Sequence, residues 1–460
     1  MATPTPPPAN DPLQELAKFE QVVAACNRCG FCTNYCPTYK ATGNESLSPR
    51  GRNQLVRALI EGKMWDAGQA AESIETCLLC GECTSVCFSE VPTAKLMVAA
   101  RNFINRSKGI PRGLSLMLTR LLPHPRRLSL LLRVAFISKT LGLSKLARRL
   151  GLFKFFPALA AADEQLPKAP LRFLRDYPLI RRRTEEALVK ARNAQVLAAQ
   201  KSGAPGGVPL APAALPSVAF FTACGSQYVR PGTGLATAQL FERLKIRFVV
   251  PDVICCGLPA ASYGVLDSVR QFARENIDRL EKGRYEAILV DDSSCGAHLK
   301  DYASFFEGDA KMMKRAHDLS QKTRDVASFL VQKGLKEHLV KARWLGGPVA
   351  YHDPCKAQYA QKQTQAPREL LAAIPNLKLV PVPDADQCCG GAGTFAVVHP
   401  DLSRDIAEAK VKNIMSTGCR VVVTSSVSCL LQVAAGLRRA NSHIEVVHLT
   451  DFLQRVLQSS

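Results

Sequence analysis

A chain of 460 residues with 47% hydrophobic, 22% charged and 7% aromatic residues has room for two or three folded domains, which excludes disorder over most of its length. Two features of the composition need a cause: 60 Lys and Arg against 39 Asp and Glu, for a formal charge of +21, and 17 cysteines. Met1–Asn10 has neither a basic n-region nor an apolar h-region, so a cytoplasmic location is expected; structural disulfides rarely persist there, and so many thiols suggest metal.

Residues 1–14 are expected to form a disordered Pro-rich tail, and 15–110 a helical domain with eight of the cysteines. Its first motif, Cys26-Asn-Arg-Cys29-Gly-Phe-Cys32-Thr-Asn-Tyr-Cys36-Pro37, is the C-x2-C-x2-C-x3-C-P run of bacterial ferredoxins. The second, Cys77-Leu-Leu-Cys80-Gly-Glu-Cys83-Thr-Ser-Val-Cys87, repeats the spacing with Phe88 in place of the proline. Three closely spaced cysteines wrap one face of a cubane, and Gly30 and Gly81 permit the tight winding. In two-cluster proteins the fourth cysteine ligates the other cluster. One [4Fe-4S] cluster is therefore expected on Cys26, Cys29, Cys32 and Cys87, and a second on Cys77, Cys80, Cys83 and Cys36. A pair of four-thiolate zinc sites is the rival reading. Zinc sites, however, usually join two C-x2-C knuckles across a long loop, whereas here four cysteines fall within eleven residues, twice.

The next segment, 111–216, reads as a basic helical insertion and linker. Residues 101–200 hold 21 Lys and Arg and 5 Asp and Glu, so +16 of the +21 lies there. Its richest apolar stretch, Leu114–Ser138, is broken by Arg120, Pro123, Pro125, Arg126, Arg127 and Arg133, too many for a membrane-spanning helix. Leu and Arg interleave from Leu114 to Leu152, a second helical run covers Arg181–Gln200, and a Gly/Pro/Ala linker runs from Ser202 to Pro216. Three readings of the Leu/Arg run stay open: an amphipathic helix on an anionic membrane, a dock for an acidic partner, or a helix packed on the body with a solvated basic face. Nucleic acid ranks well below these as a partner, because no aromatic stacking pattern accompanies the charge.

From Val218 short β-branched or aromatic runs alternate with helices: Ser217–Thr222, Arg247–Val250, Ala287–Val290, Val349–Tyr351, Leu377–Val380 and Arg420–Thr424. This alternation predicts βαβ units around parallel sheets, with ligands at the carboxyl ends of the strands. The cysteines repeat. Cys224, Cys255, Cys256 and Cys295 recur as Cys355, Cys388, Cys389 and Cys429 at offsets of 131, 133, 133 and 134. Two copies of one α/β domain are thus expected, at 217–310 and 346–460, joined by a helical connector at 311–345. Each quartet is a candidate metal site, since vicinal cysteines bridge to each other poorly but can converge with thiols from neighbouring strand ends. Cys419 has no counterpart and reads as a buried hydrophobe. His298 and His352 lie near Cys295 and Cys355, and either is a candidate ligand or a structural group, the structural role being favoured. No nucleophilic triad, P-loop or dinucleotide fingerprint is present, so no catalytic residue and no flavin are expected on this chain.

These motifs resemble the iron-sulfur subunits of glycolate oxidase, within the wider family of cysteine-rich CCG proteins that includes the CCG-bearing component of heterodisulfide reductase and lactate-utilisation proteins. The resemblance rests on both ferredoxin motifs, Ser48-Pro-Arg-Gly-Arg52, Phe221-Thr-Ala-Cys224, Cys255-Cys-Gly257, Asp292-Ser-Ser-Cys-Gly-Ala-His-Leu299, Tyr351-His-Asp-Pro-Cys355, Asp386-Gln-Cys-Cys-Gly-Gly-Ala-Gly393 and Ser425-Ser-Val-Ser-Cys-Leu430. It implies an α/β protein with an N-terminal helical di-cluster domain and two tandem CCG domains. It also implies a subunit of a glycolate (2-hydroxy acid) dehydrogenase that does not itself oxidise substrate. Such a subunit conducts electrons from an FAD-binding partner to a quinone-type acceptor, peripherally on the cytoplasmic side of the inner membrane. Subunits of D-lactate or glycerol-3-phosphate dehydrogenases, and a heterodisulfide-reductase-like thiol-disulfide enzyme, are the alternatives. The full CCG pattern ends in C-x2-C, and here Asp292 and Ser426 replace the first cysteine of that pair. Further clusters in the CCG domains are therefore expected to rest on four thiolates, or on three with an oxygen or histidine ligand. The segment 111–216 is longer and more basic than the resemblance accounts for.

Overall fold

The computed structural model describes residues 14–64, 67–155, 157–166, 170–201 and 218–459. The expected tail lies outside these residues except for Gln14, which opens a helical turn, and so does the linker Ser202–Pro216.

The first ninety or so described residues are helical. Helix α1 (Pro49–Ile60) starts where Ser48 accepts a hydrogen bond from Gly51 N at 2.9 Å, with Pro49 in the first turn where its missing N–H costs nothing. It packs with α2 (Thr93–Lys108) through Val56, Leu59, Leu96, Met97 and Ala100. The two cysteine motifs form short turns over this core, each opened by a left-handed glycine, Gly30 (φ 80°) and Gly81 (φ 89°).

The Leu/Arg run is not one helix. After two short turns over 112–121 it continues as α3 (Pro125–Thr140) and α4 (Leu143–Arg149). Leu128, Leu132 and Phe136 face inward onto Phe173 and Tyr228, whose rings meet edge-on at 5.2 Å. Arg133 lies 4.6 Å over the Phe173 ring and pairs with Asp176 at 2.7 Å. The outward face carries an apolar stripe: Leu130, Val134 and Ile137 are 67%, 60% and 50% exposed. The arginine at the middle of α3 is used inward, and the exposed cations Arg126, Arg127, Lys145 and Arg149 share the solvent-facing side with this apolar stripe, so the helix is packed on the body with a mixed outer face.

Two four-stranded parallel sheets follow. The strands β1 (Val218–Phe221), β2 (Phe248–Val249), β3 (Ile288–Val290) and β4 (Thr323–Asp325) are ordered β2-β1-β3-β4. The strands β5 (Val349–His352), β6 (Leu379–Val380), β7 (Val421–Thr424) and β8 (Glu445–His448) repeat that order as β6-β5-β7-β8. Strands buried on both faces read as continuous apolar runs, which is why β1, β3, β5 and β7 stand out in the sequence. The stretch 311–345, expected as a helical connector, contains β4 and so completes the first sheet. Its Thr-Arg-Asp carries no apolar run and is selected only by pairing with β3. One apolar cluster, including Phe220, Phe241, Tyr351 and Phe452, is shared by the two copies.

Candidate metal centres

The eight ferredoxin-motif cysteines lie close together. The Cys32 thiol has Cys26, Cys87 and Cys29 as charge neighbours, and Cys83 has Cys32 as well as Cys77 and Cys36. Cys36, Cys77, Cys80 and Cys83 line one pocket. Burial, reinforced by Cys26 and Cys87, pushes the Cys32 thiol up to about 11, so thiolates crowded this way need a cation to exist at neutral pH. Two buried guanidiniums hold the second group in place. Arg52, 1% exposed, donates to Thr38 Oγ1 (3.0 Å), Ser73 O (2.6 Å) and Cys36 Sγ (3.7 Å). Arg101 donates to Ile74 O, Glu75 O and Cys77 O (2.6 Å for the last) and reaches Ser262 O in the first α/β domain. The first group is more open: Cys29 is exposed, and the 86% exposed Phe88 ring sits 5.4 Å from Phe31.

In each α/β copy the four cysteines come together beyond the carboxyl ends of the central strands. Thiol contacts run Cys224 to Cys255, Cys255 to Cys256, and Cys256 to Cys295 at 3.4 Å. The second copy repeats them as Cys355 to Cys388, Cys388 to Cys389, and Cys389 to Cys429. Gly390 is required here: its φ is +79°, and a Cβ would lie 2.8 Å from Ser403 O. Grouped, desolvated sulfurs of this kind suit a soft metal or an iron-sulfur cluster. Cys419 is 3% exposed and belongs to the apolar cluster that includes Ile414, Val422, Cys389 and Cys429. The two histidines separate. His298 packs edge-on against Tyr302 and Phe305, each at 5.5 Å, while His352 has a ring nitrogen within 4.8 Å of the Cys389 and Cys429 sulfurs.

Asp292 explains one departure from the C-x2-C pattern. Its Oδ1 accepts from Ser294 N (2.9 Å) and Cys295 N (3.3 Å), capping α5 (Ser293–Lys300). Its Oδ2 accepts from Val427 N at 2.9 Å, the first residue of α6 (Val427–Arg439), whose own N-cap Ser426 makes no capping bond. One carboxylate thus caps the matching helices of both copies, and Ser293 N and Oγ bond to Ser425 O alongside it. Asp292→Ala removes a cap and orphans a buried N–H. It is expected to cost about 2–3 kcal/mol, read as a lower thermal unfolding midpoint of the anaerobic protein, with Asp292→Asn costing less.

The second quartet also touches the ferredoxin-like domain. Cys80 packs with Cys388 and Cys355, and its thiol is raised first by burial and then by Cys355. Lys356 Nζ donates to Leu79 O at 2.8 Å across the same contact.

Comparison with known proteins agrees with this layout. Residues 22–91 match the family model of the 4Fe-4S dicluster domain, and residues 218–300 and 349–434 match that of the cysteine-rich CCG domain. Residues 112–166 match the linker region of glycolate oxidase iron-sulfur subunits. The chain is 28% identical over 437 residues to the probable glycolate oxidase iron-sulfur subunit of Bacillus subtilis (93% of this chain, 92% of that one). It is 27% identical over 438 residues to the glycolate oxidase iron-sulfur subunit of Escherichia coli (93% and 94%). Lactate utilization protein A of Shouchella clausii is 30% identical over 242 residues, 52% of this chain and 98% of that one. The chain belongs to this family of iron-sulfur subunits. The linker match corrects one expectation: the family does account for the basic segment over residues 112–166.

Arg52, Arg101 and the double capping by Asp292 are the supporting residues that sequence reasoning did not single out. Ser48-Pro-Arg-Gly-Arg52 was the one available signal for the first of them.

Proposed function

We propose that the chain is the electron-carrying subunit of a glycolate, or closely related 2-hydroxy acid, dehydrogenase. A partner flavin takes two electrons from the hydroxy acid, leaving the 2-oxo acid, and releases them singly to this chain for delivery to a quinone-type acceptor. Bound iron-sulfur clusters supply one-electron storage. The chain's part is to hold them with Cys26, Cys29, Cys32 and Cys87, with Cys77, Cys80, Cys83 and Cys36, and with the two CCG quartets. The observation that carries the reading is Cys80 packed with Cys355 and Cys388, which brings the ferredoxin-like domain into direct contact with a CCG site. The test is anaerobic mixing of the chain with the flavin subunit and glycolate or D-lactate, followed by EPR. Reduced [4Fe-4S] signals that need both partner and hydroxy acid support the proposal. Disulfide turnover by the isolated chain would instead favour the heterodisulfide-reductase alternative, which the Asp292 and Ser426 replacements disfavour.

No helix among the described residues is long and apolar enough to cross a membrane. We propose that the exposed stripe of Leu130, Val134, Ile137 and Leu141, flanked by Arg126, Arg127, Lys145 and Arg149, lies on an anionic lipid surface beside the quinone pool. Vesicles containing phosphatidylglycerol are expected to sediment the chain, neutral vesicles far less. Val134→Asp with Ile137→Asp should weaken binding at least tenfold. Equal sedimentation of variant and parent would reject this placement.

A further inference from the structure

The two CCG quartets are matched in their thiols but not in what stands beside them. β1 and β5 each span four residues, and each is followed three residues later by the first cysteine of its quartet, Cys224 or Cys355. The last residue of the strand is Phe221 in the first copy and His352 in the second. Phe221 belongs to the apolar cluster that contains Cys256 and Cys295. His352 occupies the equivalent place, with a ring nitrogen within 4.8 Å of the Cys389 and Cys429 sulfurs.

His352 is 2% exposed, and neither Nδ1 nor Nε2 has a hydrogen-bond partner. Leaving a polar atom buried and unpaired is unfavourable, so an imidazole with two such atoms in a thiol-lined pocket needs a reason. Its sequence neighbour Asp353 is not its partner: both carboxylate oxygens are taken by Arg368, at 2.7 and 2.5 Å.

We propose that His352 is a nitrogen ligand of the metal centre held by the second CCG quartet, acting with Cys389 and Cys429, while the first quartet binds through sulfur alone. The proposal rests on the reading that the quartets hold metal. Its consequence is that the tandem sites are not equivalent. Where the imidazole takes the place of one thiolate of the quartet, Cys355 or Cys388 being left off the metal, the iron-sulfur centre is less negative and its potential higher. The more oxidising of the two sites is then the one beside Cys80, where electrons from the ferredoxin-like domain arrive.

The test uses the full chain, purified anaerobically with and without 15N-histidine, and pulsed EPR of the reduced protein. A directly bonded nitrogen coupling that changes with the label, vanishes in His352→Gln and survives in His298→Gln is the expected result. Where the second site holds zinc, a nitrogen scatterer at the zinc absorption edge, absent in His352→Gln, reports the same ligand. Metal that is lost from Cys389→Ser while the nitrogen signal is unaffected by His352→Gln would overturn the proposal. Equal metal content in Cys389→Ser and the parent would overturn it too, by showing an unmetallated quartet, while leaving the two ferredoxin-type clusters and the partner-dependent reduction to be judged on their own signals.

Discussion

Replacing Cys36 with alanine is expected to disable the cluster of the second cysteine motif rather than that of the motif to which Cys36 belongs. Cys36 shares its pocket with Cys77, Cys80 and Cys83, and Arg52 donates to its sulfur, whereas Cys32 faces Cys26, Cys29 and Cys87. Iron assigned to the ferredoxin-like domain should fall from about eight to about four per chain. The assignment is read from double variants. Cys36→Ala with Cys77→Ala should lose no more iron than either alone, because both act on one cluster. Cys36→Ala with Cys26→Ala should lose the iron of both and with it the spin coupling between reduced clusters. The reverse pattern, with Cys36 and Cys26 behaving as one unit, would mean that each motif holds its own cluster.

Arg101→Met is expected to have the largest effect on stability of any substitution away from the thiols. The Arg101 side chain is buried and ties Ile74 O, Glu75 O and Cys77 O at the start of the second motif to Ser262 O in the first α/β domain. Methionine fills the volume but leaves these carbonyls without a donor in an interior site. A loss of about 3–5 kcal/mol follows. Lysine should rescue little, since one ammonium on a flexible stem does not reproduce the planar fork that spans several acceptors. The measurements are the thermal midpoint and limited proteolysis under anaerobic conditions. Cleavage releasing the ferredoxin-like domain in Arg101→Met, and not in the parent, is the expected pattern; unchanged proteolysis would show that the contact does not couple the domains.

What the sequence disclosed depended on the range of the interactions involved. The cubane-wrapping triplets are local, so their spacing alone identified them, and the repeated offsets between Cys224 and Cys429 identified the tandem domains. Strands β1, β3, β5 and β7 were legible because burial on both faces leaves an unbroken apolar run. β4 was not, because Thr323, Arg324 and Asp325 carry no such run and become a strand only against β3. α3 shows the same limit. Its leucines and arginines announced an amphipathic helix, but which face is covered is decided by Phe173 and Tyr228, well outside the segment. Arg52 and Arg101 look like ordinary helix-surface cations until residues 73–77 bring carbonyls to them. The neighbours of His352, Cys389 and Cys429, lie 37 and 77 residues away.

The two ends of the ferredoxin-like domain differ in their contact with the surroundings. Cys29 is exposed beside the paired rings of Phe31 and Phe88, whereas Cys80 is buried against Cys355 and Cys388. The molecule is in this sense an insulated conductor with one bare terminal. On the proposed function, the outer motif is the side of this domain open to an electron donor, with two apolar rings beside its exposed cysteine. The inner junction is shielded from dioxygen and stray oxidants by the same packing that joins the domains, so damage by air should begin at the outer motif and spare the junction. On the proposed function, vectorial flow then needs no moving part: it follows from which cysteine faces solvent and which faces its neighbour.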